Sequence, residues 1–93
     1  MAKHKQIKHS GERGNNIRFL SENVTVQALY LEPQDRLKPI KFTFRGGKGD
    51  AVLAAFTLTG PLVLPYAPVG WFVSDDGLVL SADGPVSGLI VYE

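Results

Sequence analysis

The 93-residue chain contains no cysteine, a single tryptophan and only two histidines, His4 and His9. Without cysteine, disulfide stapling and thiolate metal sites are excluded. No apolar run approaches the ~18 residues that a membrane-spanning helix requires. The basic N-terminus is not followed by an apolar segment, so it does not read as a secretory signal, and a cytoplasmically made chain is expected. A Ser-His-Asp triad would have to take its base from that N-terminal stretch, which has too few apolar residues to hold a side chain to catalytic tolerance. Two imidazoles five residues apart, with neither cysteine nor an acidic cluster nearby, do not make a metal site. The expectation is therefore a non-enzyme with no catalytic residue, cofactor or metal.

The cations are confined to one half. All ten Lys and Arg lie in residues 1–48 against four acids, a net charge of +6. Residues 49–93 carry five acids and no cation, a net −5. Apolar residues divide the other way, with 16 in residues 1–50 and 25 in residues 51–93. Such asymmetry points to two different neighbours or to head-to-tail contact between copies.

Along the chain, residues 1–16 read as a basic arm. Beyond Met1 and Ala2 their one aliphatic residue is Ile7, among Lys3, Lys5, Lys8 and Arg13. So little apolar surface does not offset the entropy of ordering, and the arm is expected to need a partner. Residues 17–93 read as a single β-domain. Ile40, Phe42 and Phe44 alternate with Lys41, Thr43 and Arg45, which predicts a strand with one dry face and one basic face. Ala51 to Leu58 fits either a helix capped by Asp50 or a strand, and its Phe-Thr-Leu-Thr end followed by Gly60-Pro61 favours the strand. Asp75-Asp76-Gly77 reads as a hairpin turn with Gly77 left-handed. About eight short strands at roughly ten-residue spacing predict an all-β fold: a small antiparallel β-sandwich or barrel, jelly-roll-like, with an extended N-terminal arm.

Two loops invite chemical readings. Arg45-Gly46-Gly47-Lys48-Gly49-Asp50 resembles an anion-binding loop, since glycines let amides approach a phosphate. It lacks both the Walker spacing and the dinucleotide fingerprint, and a plain connection between strands explains it as well. Asp75, Asp76 and Asp83 sit at turn positions that turn chemistry explains without a ligand.

The apolar excess is the most informative signal. Val69 to Val73, Leu78 to Leu80 and Leu89 to Tyr92 are apolar in both strand phases, where a two-layer sandwich wants alternate residues polar. Cover by other molecules is expected, with Tyr66, Trp71, Phe72 and Tyr92 as anchors of the residue types that favour interfaces. The partners expected are further copies of the chain (a homo-oligomer, a trimer included) and a larger protein assembly.

A basic arm, an apolar eight-strand domain without cysteine and no catalytic set together resemble the small capsid decoration or cement proteins of tailed bacteriophages. The resemblance implies a structural virion protein whose arm lies along a neighbouring subunit. Lys3, Lys5, Lys8, Arg13 and Arg18 would then meet acidic shell surface while Ile7 and Phe19 anchor, many modest contacts adding up by multivalency. Two other readings compete. One is a small nucleic-acid-binding β-barrel module that uses the basic arm and the Lys41–Lys48 strip for backbone contacts. The other is a tail-tip or carbohydrate-binding module that uses Trp71 and Tyr66.

Overall fold

A computed structural model describes residues 3–10, 17–35, 38–48 and 51–93. These residues form nine strands and no helix: β1 (Lys3–His9), β2 (Ile17–Leu20), β3 (Val24–Pro33), β4 (Ile40–Gly46), β5 (Val52–Leu58), β6 (Leu62–Leu64), β7 (Phe72–Ser74), β8 (Leu78–Ala82) and β9 (Val86–Tyr92). One sheet runs β1-β9-β3-β6, with β7 also paired to β3; the other runs β2-β8-β4-β5. The strand pairs within both sheets are antiparallel.

The pairs nest. β4 pairs with β5, β3 with β6, β2 with β8 and β1 with β9. The chain is thus one long hairpin, rolled so that β9 also meets β3 and β8 also meets β4. This is jelly-roll topology in two facing sheets, with β7 as a short addition.

The period-2 pattern decides which residues fill the space between the sheets. On β4, Ile40, Phe42 and Phe44 are buried while Lys41 is exposed. Phe44 is the hub: its ring lies 5.0 Å from Phe42, 6.3 Å from Phe56 on β5, and 5.3 Å from Phe72 across in the other sheet. Offset and edge-on aromatic contacts of this kind add to plain area burial. On β3 the phase changes midway. Val24 and Val26 point inward, the register slips between Val26 and Ala28, and Leu29 and Leu31 then point inward. Gln27 sits at this bulge, buried, and its Nε2 donates to Glu93 Oε2 at 2.9 Å and to Pro68 O at 3.2 Å.

Three expectations are corrected. First, residues 3–9 of the expected arm are a strand of the domain itself, in register with β9 from Lys3↔Tyr92 to His9↔Val86. Side-chain composition alone does not reveal the ladder: seven paired positions add backbone hydrogen bonds to the burial of Ile7 and His9. Residues 1–2 and 11–16 of the arm, Arg13 among them, lie outside the described residues. Second, Asp75 to Gly77 do not close a hairpin. β7 belongs to one sheet and β8 to the other, so the segment is a crossing between layers. Gly77 is left-handed there, with φ of 99°, and a Cβ on it would stand 2.2 Å from Leu20 O. Third, much of the apolar second half is core: Leu78, Leu80, Ile90 and Tyr92 are all buried. Residues 52–58 are the strand that their β-rich end favoured.

Candidate functional site

The outward face of the five-stranded sheet is the first feature to stand out. Leu89 on β9 lies opposite Tyr30 on β3, and Tyr30 lies opposite Val63 on β6. All three are exposed, at 42%, 38% and 61%. Directly opposed side chains on one face touch, so the three make a continuous apolar row across three strands. Val91 and Ala28 pair in the next row, and Tyr66, 58% exposed, adjoins them in an open depression of about 220 Å3 that also takes in Tyr30, Val63 and Leu89. A second shallow groove of about 760 Å3 runs from Leu89 and Tyr30 to His4 and Gln6 on β1. The margin is polar: Gln6 lies opposite Leu89, Lys8 opposite Ser87, and Tyr30 Oη donates to Glu32 Oε2 at 3.3 Å. An apolar centre with a polar rim is the anatomy of a protein interface.

The loop after β6 extends this surface and is held firmly. Ala67 N donates to Gln27 O at 2.8 Å and Trp71 N to Val26 O at 2.7 Å, so the β3 bulge anchors both ends of the loop. Within it, Gly70 N donates to Ala67 O, and the indole of Trp71 donates to Pro65 O at 2.7 Å. Gly70 has a φ of 87°, and a Cβ there would meet Thr25 Cγ2 at 2.4 Å, so glycine is needed both for its conformation and for close approach. Tyr66, Val69 and Trp71 are displayed outward by this frame.

The structure divides the expected partner-binding residues. Tyr66 and Trp71 are exposed; Tyr92, Phe19 and Ile7 are buried in the core, and Phe72 packs on Phe44. Tyr92, Phe19 and Ile7 are therefore not surface anchors, while Phe72 is only partly buried. The β1 cations are partly occupied within the chain. Lys3 pairs with Glu22 at 3.6 Å, and Lys5 Nζ donates to Phe19 O at 2.7 Å while lying 4.5 Å from the centre of the Phe19 ring. Lys5 thereby bridges β1 of one sheet to β2 of the other along the open side of the sandwich. His4 and His9 fall on opposite faces of β1, exposed and buried, and so do not share a ligand. Among the described residues no group of three or more His, Asp or Glu gathers as a metal site would require.

The glycine-rich loop has an anion bound to it, and the anion belongs to the chain. Gly47 N donates to Asp76 Oδ1 at 3.0 Å. Ser74 Oγ lies 2.9 Å from the same oxygen and 2.6 Å from Gly77 O, and it accepts from Asp76 N at 3.4 Å. The Gly47 amide, then the Ser74 hydroxyl and the charge of Lys48, hold the Asp76 carboxyl below the ordinary carboxylate range. The contact clamps the loop after β4 onto the crossing between β7 and β8.

The four-stranded sheet presents a different outward face. Arg18 on β2 and Arg45 on β4 flank Val79 on β8 from either side. Thr43 lies between Ser81 and Ala55, and Lys41 lies opposite Thr57. Val79 points outward yet is only 7% exposed, as expected when long cationic stems lie over an apolar neighbour. Comparison with protein-family models, with characterised proteins and with solved structures finds no match for this chain.

Proposed function

We propose that this chain is a non-enzymatic structural protein that acts in many copies, as a decoration, cement or minor component of a protein shell such as a virus capsid. It docks through the outward face of its five-stranded sheet and oligomerises there. The observation that carries the reading is the Leu89–Tyr30–Val63 row with Tyr66 beside it. A sheet face turned to water would keep such positions polar, and each apolar side chain withdrawn from water contributes about 25 cal/mol per Å2 buried. The rigid Tyr66–Trp71 loop suits this role, because a preformed surface loses little entropy on docking. Jelly rolls are frequent in capsid subunits, but also in lectins and cupins, so topology supports the reading only by analogy.

The docking surface proposed here is not the N-terminal arm, because β1 is spent on the chain's own sheet. Light scattering after size exclusion, over a concentration series into the millimolar range, tests the reading. The wild-type chain should exceed its monomer mass of 10.1 kDa. A Val63→Lys/Leu89→Lys double variant, changed only at exposed positions, should be monomeric with its melting temperature preserved. A wild type that stays monomeric throughout the series overturns the reading.

A further inference from the structure

We propose that the outward face of the four-stranded sheet binds the phosphate backbone of nucleic acid without reading its sequence. The strands of this sheet (Ile17–Leu20, Leu78–Ala82, Ile40–Gly46 and Val52–Leu58) contain Arg18, Lys41 and Arg45 and not one acidic residue. The three cations share one face. Arg18 and Arg45 are two strand spacings apart, about 9.5 Å, and Lys41 and Arg45 are four residues apart along β4, about 13 Å. Exposed Lys38 precedes β4 and exposed Lys48 follows it, so the line of positive charge continues past both ends of the strand. Among the described residues no ion pair engages Arg18, Lys41 or Arg45. Two acids at the ends of the sheet accept from backbone amides: Asp83 Oδ1 from Lys41 N at 2.7 Å, and Asp76 Oδ1 from Gly47 N.

Three properties of the face select nucleic acid over an acidic protein. Small hydroxyls stand beside the cations, Thr43 between Lys41 and Arg45, Ser81 opposite Thr43 and Thr57 opposite Lys41, and these suit hydrogen bonding to phosphate oxygens. The centre holds no apolar anchor, since Val79 is covered and the exposed Val52, opposite Arg45, stands on the edge strand β5, whereas a protein interface is built around a central one. The charge is extended rather than focused on one pocket, matching a repeating polyanion. Phe42 and Phe44 point into the core and Phe56 packs against it, so no aromatic platform is offered to bases and no sequence preference follows. This face lies on the opposite side of the sandwich from the apolar row, and neither inference needs the other.

Fluorescence anisotropy with labelled random-sequence duplexes tests the proposal. Unrelated duplexes should bind equally well at low salt. With four phosphates neutralised, by Arg18, Lys38, Lys41 and Arg45, log K should fall with log salt at a slope of roughly −3.6, about a hundredfold loss between 50 and 200 mM. An Arg18→Gln/Lys41→Gln/Arg45→Gln variant should lose at least tenfold in affinity, whereas Arg18→Lys/Arg45→Lys should keep most of the salt slope. Should the triple variant lose its β-sheet circular dichroism, Lys41→Gln alone decides, with an expected reduction of about one in the slope. The proposal is overturned by no binding at low salt, by full binding of the folded triple variant, by an unchanged slope for Lys41→Gln, or by poly-glutamate displacing the duplex at lower concentration than unlabelled DNA does.

Discussion

Replacing Gly47 by alanine, compared with the same change at Gly60, isolates what the glycine-rich loop is for. A Cβ on Gly47 would stand 1.7 Å from Asp76 O and 2.7 Å from Asp76 C. Both are main-chain atoms of the crossing between the sheets, so no flexible side chain can give way. Either the loop after β4 lifts off the crossing or the crossing shifts, and the Gly47 N–H to Asp76 contact opens. Forced overpacking of this kind costs about 1–3 kcal/mol. In a domain of this size that corresponds to a fall in Tm of roughly 5–20 °C. A Cβ on Gly60 meets nothing within 4 Å and its φ is not positive, so Gly60→Ala should be neutral or stabilising by about 0.4–1 kcal/mol, through the unfolded chain. Thermal melts of the two variants by circular dichroism give the comparison. A loop built to hold an external anion, free of the rest of the fold, would leave the two variants alike. Gly47→Ala melting no lower than Gly60→Ala refutes the reasoning.

Two further outcomes follow from the geometry. Ile7→Ala should destabilise the chain by about 2–5 kcal/mol in urea titration, because Ile7 is completely buried, and deleting residues 1–9 should cost more; a deletion that melts like the intact chain would return these residues to the status of an arm. Asp76 has a folded-state pKa below its unfolded one, so its contribution is present above the ordinary carboxylate range and is lost as the pH falls through the depressed value. Tm followed against pH should therefore drop less on the acid side for Asp76→Asn than for the wild type, and parallel curves would count against the clamp.

What could be read from the chain alone depended on where the period-2 pattern was clean. Ile40 to Arg45 gave the strand and both its faces, because every inward residue is large and apolar and every outward one polar. Val24 to Leu31 was harder: Ala28, Leu29, Tyr30 and Leu31 are apolar in both phases, and a bulge at Gln27 reverses which phase is buried. That reversal turns Tyr30 outward beside Leu89, so period 2 alone does not place Tyr30 in the row, although the unbroken apolar run is its visible signal. The apolar surplus points by residue type to Tyr66, Trp71, Phe72 and Tyr92, of which the core takes Tyr92 and part of Phe72. The N-terminal strand is not legible in the sequence because five of its seven residues are exposed, and the strand is held by its ladder and by Lys5 rather than by an apolar stripe. Crossings between layers, such as Asp75 to Gly77, carry the same turn residues as hairpins and differ only in which strands they join.

The nested pairing also bears on how the chain is made. β9 lies between β1 and β3, and it is synthesised after both of them. Until it emerges, an already translated β1 and β3 each display an open backbone edge toward the place where β9 belongs, and unsatisfied edges of that kind invite pairing with other chains. Contacts spanning nearly the whole length must form last, which favours slow maturation. A ribosome stalled before residue 86 would therefore release a polypeptide prone to aggregation, and a short peptide matching Val86 to Tyr92 would be a rational agent for plugging that gap.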